Sequence, residues 1–315
     1  MSLQSTQSRD RSRPTSPVAV LGVPFALGAD RRGVDMGPSA IRYGGLSAAL
    51  DTAGVDYTDA GDLSPPTLQS QPASADASAK YLDAIAEMTD TLADRVATEI
   101  ADGSVPLVLG GDHSIAMGTM RGAAQASELG VIWFDAHGDY NTPTTSPSGN
   151  VHGMPLAAAH GYGDFAEMPW ATAPNVAEKN TVIVGARSLD ADERAVLRES
   201  DISVFTMADI DKQGIGPVTD EALDIATDGV DDIHVSLDLD WLDPDDAPGV
   251  GTPVPGGVTY REAHTAMERV ADRDAAESVL RSLDVVEVNP ILDQRNTTGE
   301  RAAELAASAF GKRIL

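Results

Sequence analysis

Asp135, His137 and Asp139 stand two residues apart, directly after the apolar run Val131–Phe134. Asp238 and Asp240 repeat that spacing after "HVSL", and His113 follows the paired glycines of "VLGGDHS". Residues two apart on a strand share a face, so each group is expected to turn its polar atoms the same way. Carboxylates and imidazoles at the mouth of a buried strand lose hydration unless something pairs with them, and a cation does so. Singly, each residue has an ordinary explanation as a helix cap, a satisfied core histidine or a loop carboxylate. Three strand ends carrying such groups at once do not.

Four carboxylates exceed what one divalent ion neutralises. Two ions about 3.5–4 Å apart, bridged by carboxylates, form an arrangement used for hydrolysis. Oxygen and nitrogen donors without sulfur suit Mn²⁺, with Co²⁺ as a substitute, better than Zn²⁺, which usually takes fewer ligands. Such a pair brings the pKa of a shared water toward neutrality and so supplies a bridging hydroxide as nucleophile.

These residues need elements to hold them. Apolar runs suggest strands near 17–23, 55–60, 105–110, 130–135, 181–187, 202–206, 232–239 and 281–288. Between them, Leu82, Ile85, Met88, Leu92, Val96 and Ile100 recur at helical spacing, and Gly103 supplies a stop. Residues 299–315 read as a last helix. Alternating strands and helices predict an α/β fold, a mostly parallel sheet with helices on both faces. Ligands of such sheets sit beyond the carboxyl ends of the strands, where the polar clusters fall. The reading is one domain over 17–315, a disordered polar leader over 1–16, and a Pro/Ser/Ala-rich loop at 64–78 inside the fold.

Composition narrows the function classes. The 22 basic residues face 49 acidic ones, a net charge of −27, and only Lys80, Lys179, Lys212 and Lys312 are lysines. So acidic a chain argues against nucleic acid or an anionic membrane as partner. Asp-rich, Lys-poor composition predicts a protein adapted to molar salt. With no cysteine there is neither a disulfide framework nor thiolate catalysis, and no apolar segment reads as a signal peptide or a span. Cytoplasmic is the expected location.

"GGDHS", "DAHGD" and "SLDLDWLDP" resemble the signatures of the ureohydrolases, the dimanganese arginase and agmatinase enzymes. The likeness runs from "GVPFALGADRRGVDMGPSAIR" to "VVEVNPILDQRNTTG", nearly all the chain after the leader. It implies a three-layer α/β/α, arginase-like fold around an eight-stranded sheet. It also implies two Mn²⁺, with His113 and Asp139 on one ion, His137 and Asp240 on the other, and Asp135 and Asp238 bridging. Trp241 departs from the family, whose members generally carry a smaller residue there.

The resemblance assigns Glu287 to clamp a guanidinium, which a carboxylate can do through paired hydrogen bonds. Thr252 lines the same pocket. His152 becomes the proton shuttle to the leaving amine, a role open to a group titrating near neutrality. Asp139 delivers a proton to the tetrahedral intermediate. His160, His234 and His264 read as packing residues.

Specificity must then lie in loops. Asn141, Ser148 and Asn150 offer neutral donors to an α-carboxylate, and the run resembles the carboxylate-binding loop of the arginase branch. Asp190 and Glu193, in "ARSLDADE", match positions that bind the α-amino group. The expectation is hydrolysis of L-arginine to L-ornithine and urea by a homo-oligomer, trimer or hexamer. The alternatives are an agmatinase or another guanidino-acid hydrolase and, more distantly, a non-catalytic metal-binding homologue.

Overall fold

A computed structural model describes residues 16–66 and 78–313; the expected leader up to residue 15 and most of the 64–78 loop lie outside the described residues. The eight strands among the described residues are β1 (Val18–Val23), β2 (Tyr57–Asp62), β3 (Val105–Gly110), β4 (Leu129–Phe134), β5 (Val176–Ala186), β6 (Ser203–Thr206), β7 (Asp232–Asp238) and β8 (Leu280–Val286). They form one parallel sheet in the order β2-β1-β3-β8-β7-β4-β5-β6. The expected α/β class and strand number hold. One boundary shifts clearly: β5 begins five residues earlier than its apolar run, because Leu129 pairs with Val176 ahead of a register shift.

The pleat sorts each strand between two cores. Val20, Leu107, Ile132, Val182 and Leu237 face one side; Leu21, Val108, Trp133 and Ile183 face the other. The first core is closed by α1 (Gly37–Tyr43), α2 (Leu46–Ala53), α8 (Ile215–Ala226), α9 (Tyr260–Glu277) and α10 (Thr297–Ala309). The second is closed by α3 (Leu82–Ala101), α4 (Ala116–Ala123), α5 (Pro155–Ala159) and α6 (Ala191–Glu199), while α7 (Met207–Gln213) follows the edge strand β6. In α3, Ile85, Met88, Leu92 and Val96 are buried, as their spacing predicts.

The arrangement places β3, β8, β7 and β4 side by side at the sheet's centre. Their carboxyl ends therefore open at one place. His113, Glu287, Asp238 and Asp135 each lie at or just past one of those ends.

Candidate metal centre

β4 stops at Phe134, so Asp135, His137 and Asp139 do not share a strand face as their spacing suggested. A turn brings them together instead: the Asp135 carboxylate accepts from the His137 amide at 2.6 Å, and Asp139 takes a left-handed φ of 49°. The second pair uses the same device. Asp238 ends β7 and accepts from the Asp240 amide at 2.7 Å, which starts a short 3-10 turn. A two-residue Asx turn gives the convergence that the pleat would have given. After β3, Asp112 accepts from the Ser114 amide and hydroxyl and so caps the turn that presents His113.

The six expected ligands converge. His113 Nδ1 lies 3.2 Å from Asp135, 3.0 Å from Asp139 and 3.1 Å from Asp238, and His137 Nδ1 lies 3.3 Å from Asp135 and 3.1 Å from Asp240. Donor atoms of His113, Asp135 and Asp238 can meet on one ion, and those of Asp135, His137 and Asp240 on another.

The surroundings test whether cations fit. Ser236 Oγ donates to Asp284 at 2.5 Å and sits 2.7 Å from His113 Nε2. Its one proton is thus used, so His113 must donate through Nε2, which leaves the Nδ1 lone pair facing three carboxylates. That nitrogen is buried without a hydrogen-bond partner. Burial and the neighbouring Asp135 push Asp139 up to about 6, and burial with Asp240 pushes Asp238 well above the ordinary carboxylate range. Carboxylates that cannot all ionise together, around an unpaired imidazole nitrogen, are the donor set two divalent ions would satisfy.

Packing holds the ligands. Trp133 stacks on His113 with ring centroids 4.1 Å apart and donates Nε1–H to Asp135 at 2.9 Å. Thr252 donates to Asp240 at 2.9 Å. Arg187, which sequence reasoning missed, donates to the backbone carbonyls of Asp240, Trp241, Leu242 and Val254, tying the ligand turn to the segment bearing Thr252. Only its place in "GARSLD" marks it, and nothing in that string announces a carbonyl clamp.

Glu287 follows β8 at a left-handed φ of 64° and is buried. One of its oxygens accepts from the His113 amide at 3.0 Å and faces His152 Nδ1 at 2.9 Å. Burial opposes the charge on His152, but Glu287 prevails and lifts its pKa to about 9. The same partner holds Glu287 below its ordinary range against the effect of burial.

A cavity of about 380 Å³ opens over the cluster. His137, Asp139, Asp238, Asp240, His152 and Thr252 line it together with Asn141, Ser148, Asn150, Asp190 and Glu193. All the expected site residues except Glu287, His113 and Asp135 reach this wall; those three are buried and do not line it. Asp190 and Glu193 also form the capping box of α6. Asn141 donates to Asp190 at 2.9 Å, while the other Asp190 oxygen is buried without a partner. Burial, with Asp139 and Asp190 nearby, raises Glu193 to about 7. Both features suit an incoming ammonium. Ser148 Oγ instead accepts from the Asn150 amide, so its proton stays free to donate.

The other histidines serve packing: His160, His234 and His264 bond to Thr181, Ser282 and Ser308. Trp241 is fully buried, with its ring 4.7 Å from that of Phe134.

Comparison with known proteins agrees with this geometry. The family model described as Arginase family matches residues 16–311. An arginase of Brevibacillus brevis is 50% identical over 300 residues, 95% of this chain and 99% of that protein. The arginase of Bacillus subtilis strain 168 is 48% identical over 95% of this chain and 99% of its own length. The native structure of arginase from Bacillus caldovelox superposes with a TM-score of 0.88 at 46% identity, covering 95% of this chain and all of that one.

Proposed function

The chain belongs to the arginase family, and from that premise we propose how its residues hydrolyse L-arginine to L-ornithine and urea. The reaction class, hydrolysis of an amidine C–N bond, comes with the family. One observation carries the site assignment: a six-residue ligand cluster shares a single cavity with the 141–150 loop and with Asp190 and Glu193.

His113 and Asp139 would hold one Mn²⁺, His137 and Asp240 the other, with Asp135 and Asp238 between them; Co²⁺ would fit the same donors. The distances from His113 and His137 support Asp139, Asp240 and a bridging Asp135 in these roles; Asp238 lies within reach of His113, and its second contact rests on the resemblance. When bound, the pair supplies a nucleophile by lowering the pKa of a shared water.

The chain's own groups do the remaining work. Glu287 takes the planar guanidinium through paired charge-assisted hydrogen bonds, exchanging one partner, His152, for another. His152, which the Glu287 carboxylate keeps protonated until the guanidinium displaces it, then gives its proton to the leaving amine. Asp139 would take up the proton of the attacking hydroxyl and pass it to the departing nitrogen of the tetrahedral intermediate. Asn141, Ser148 and Asn150 receive the α-carboxylate, while Asp190 and Glu193 receive the α-ammonium. Thr252 keeps Asp240 in place.

Residues 17–315 would act as one catalytic domain, in the cytoplasm, as a homo-oligomer of three or six copies. Among the described residues no helix is long and apolar enough to cross a membrane. Light scattering in molar KCl reads the assembly directly.

The deciding experiment is urea release from L-arginine and from agmatine by Mn²⁺-loaded protein in molar KCl. A strong preference for arginine is expected, because loop donors left unpaired by agmatine would penalise it. A preference for agmatine would overturn the reading of the loop and leave the metal chemistry standing.

A further inference from the structure

Lys80 is one of four lysines in the chain, and its side chain is only 14% exposed. Its ammonium donates to Asn150 Oδ1 at 2.9 Å and to Asp30 at 3.0 Å. Its own amide donates to the Gly149 carbonyl at 2.9 Å, and Tyr81 Oη donates to the other Asp30 oxygen at 3.2 Å. Asn150 Nδ2 in turn donates to the Ala29 carbonyl at 3.1 Å. Segments 29–30, 80–81 and 149–150 are thereby joined at the rim of the cavity. Among the described residues, no other Lys or Arg side chain bonds to the 141–150 loop.

The cavity wall carries Asp139, Asp190, Glu193, Asp238 and Asp240 and no Lys or Arg. Ions held by the ligand cluster would answer the carboxylates there. Beside Asn141, Ser148 and Asn150, an anionic group would meet neutral donors close to Asp190, with no cation on the wall. An amide facing an anion must also present nitrogen, because its oxygen would repel. Lysine has donors only, so an ammonium on Oδ1 forbids the flipped amide. With one Nδ2 proton on Ala29, the second stays free, and a cation on the oxygen makes it a stronger donor.

We propose that Lys80 is a specificity-determining residue: by fixing and polarising the Asn150 amide, it makes the 141–150 loop selective for guanidino substrates that carry a carboxylate. This rests on the reading of that loop given above. Lys80 acts through Asn150 and is a positioning residue.

Wild-type protein is assayed first on L-arginine and agmatine. In Lys80→Met, KM for L-arginine rises about tenfold while kcat stays within about twofold, the loss expected for one charge-assisted hydrogen bond. Agmatine turnover does not follow, because agmatine has no carboxylate to lose. Calorimetry gives a readout apart from turnover: affinity for L-ornithine falls in the variant, and affinity for putrescine, its decarboxylated counterpart, does not. Lys80→Arg restores the ornithine affinity at least in part. Should Lys80→Met fail to fold, Lys80→Gln removes the charge and keeps a donor, with the same expected split. Equal losses on both substrates, or an unchanged KM for arginine, would overturn the proposal alone. A wild type indifferent to the carboxylate would overturn the loop reading itself, and the proposal with it.

Discussion

Glu287 places one carboxylate oxygen against two groups, the His113 amide and the His152 ring. Glu287→Gln removes the charge that raises His152, so in metal-free protein that imidazole should titrate below its wild-type value of about 9. Imidazole NMR checks this, and an unshifted titration would refute the pairing. Stability should follow. A raised histidine contributes fully below its ordinary pKa near 6.5, and that contribution fades as pH rises through about 9. The depressed Glu287 contributes above its ordinary pKa of 4.5 and loses the contribution on acidification. In the loaded enzyme the same variant should lose at least about 100-fold in kcat/KM on L-arginine, since a bidentate charged contact is gone. Asp238→Asn should abolish urea release and lower bound manganese, read by elemental analysis; full metal content would exclude a ligand role. The ligands were legible because their residue types and spacing are rare together. The pairing of Glu287 with His152 was not, since the fold must bring together residues 135 positions apart.

Elements set how much of such a site a sequence can announce. Strand existence was readable from apolar runs and turn residues, but the sheet order is not a property of any run. The order matters most, because it gathers the ends of β3, β8, β7 and β4 into one mouth. The turns beyond β4 and β7 were misread as strand, since an Asx turn also returns residues i and i+2 to one side. The Trp241 departure has its explanation here too. A Cβ on Gly185, at φ +101°, would stand 2.1 Å from Trp241 Nε1. Gly185 in β5 therefore provides the room that the larger side chain occupies beside the metal turn. Gly185→Ala should destabilise the protein by about 2–4 kcal/mol, combining a clash with the buried Trp241 ring and a disfavoured φ. Denaturant unfolding in molar salt measures this. A change below about 0.5 kcal/mol would show that the ring moves aside freely.

For the whole molecule, the charge of −27 decides the conditions under which the fold stands. Many surface arginines are already engaged by aspartates: Arg42 by Asp59 and Asp62, Arg121 by Asp90, Arg269 by Asp220, Arg273 by Asp224 and Arg313 by Asp272. Such exposed pairs contribute little each, and they leave most of the 49 acidic groups with no cation of the chain to face. What remains is mutual repulsion over the surface of one compact sheet. In about 1 M salt the screening length is about 3 Å, so neighbouring carboxylates scarcely interact; at about 0.1 M it is about 10 Å, and they do. Repulsion acts on the compact state more than on an expanded chain. Lowering KCl from molar to about 0.1 M should therefore reduce Tm by about 10 °C or more. Circular dichroism follows the loss, and readmitting salt should reverse it. Sucrose at equal osmotic strength should not substitute, because it strengthens burial without screening charge. An unchanged spectrum and Tm after desalting would refute the salt-adapted reading and make the acidic surface an ordinary one.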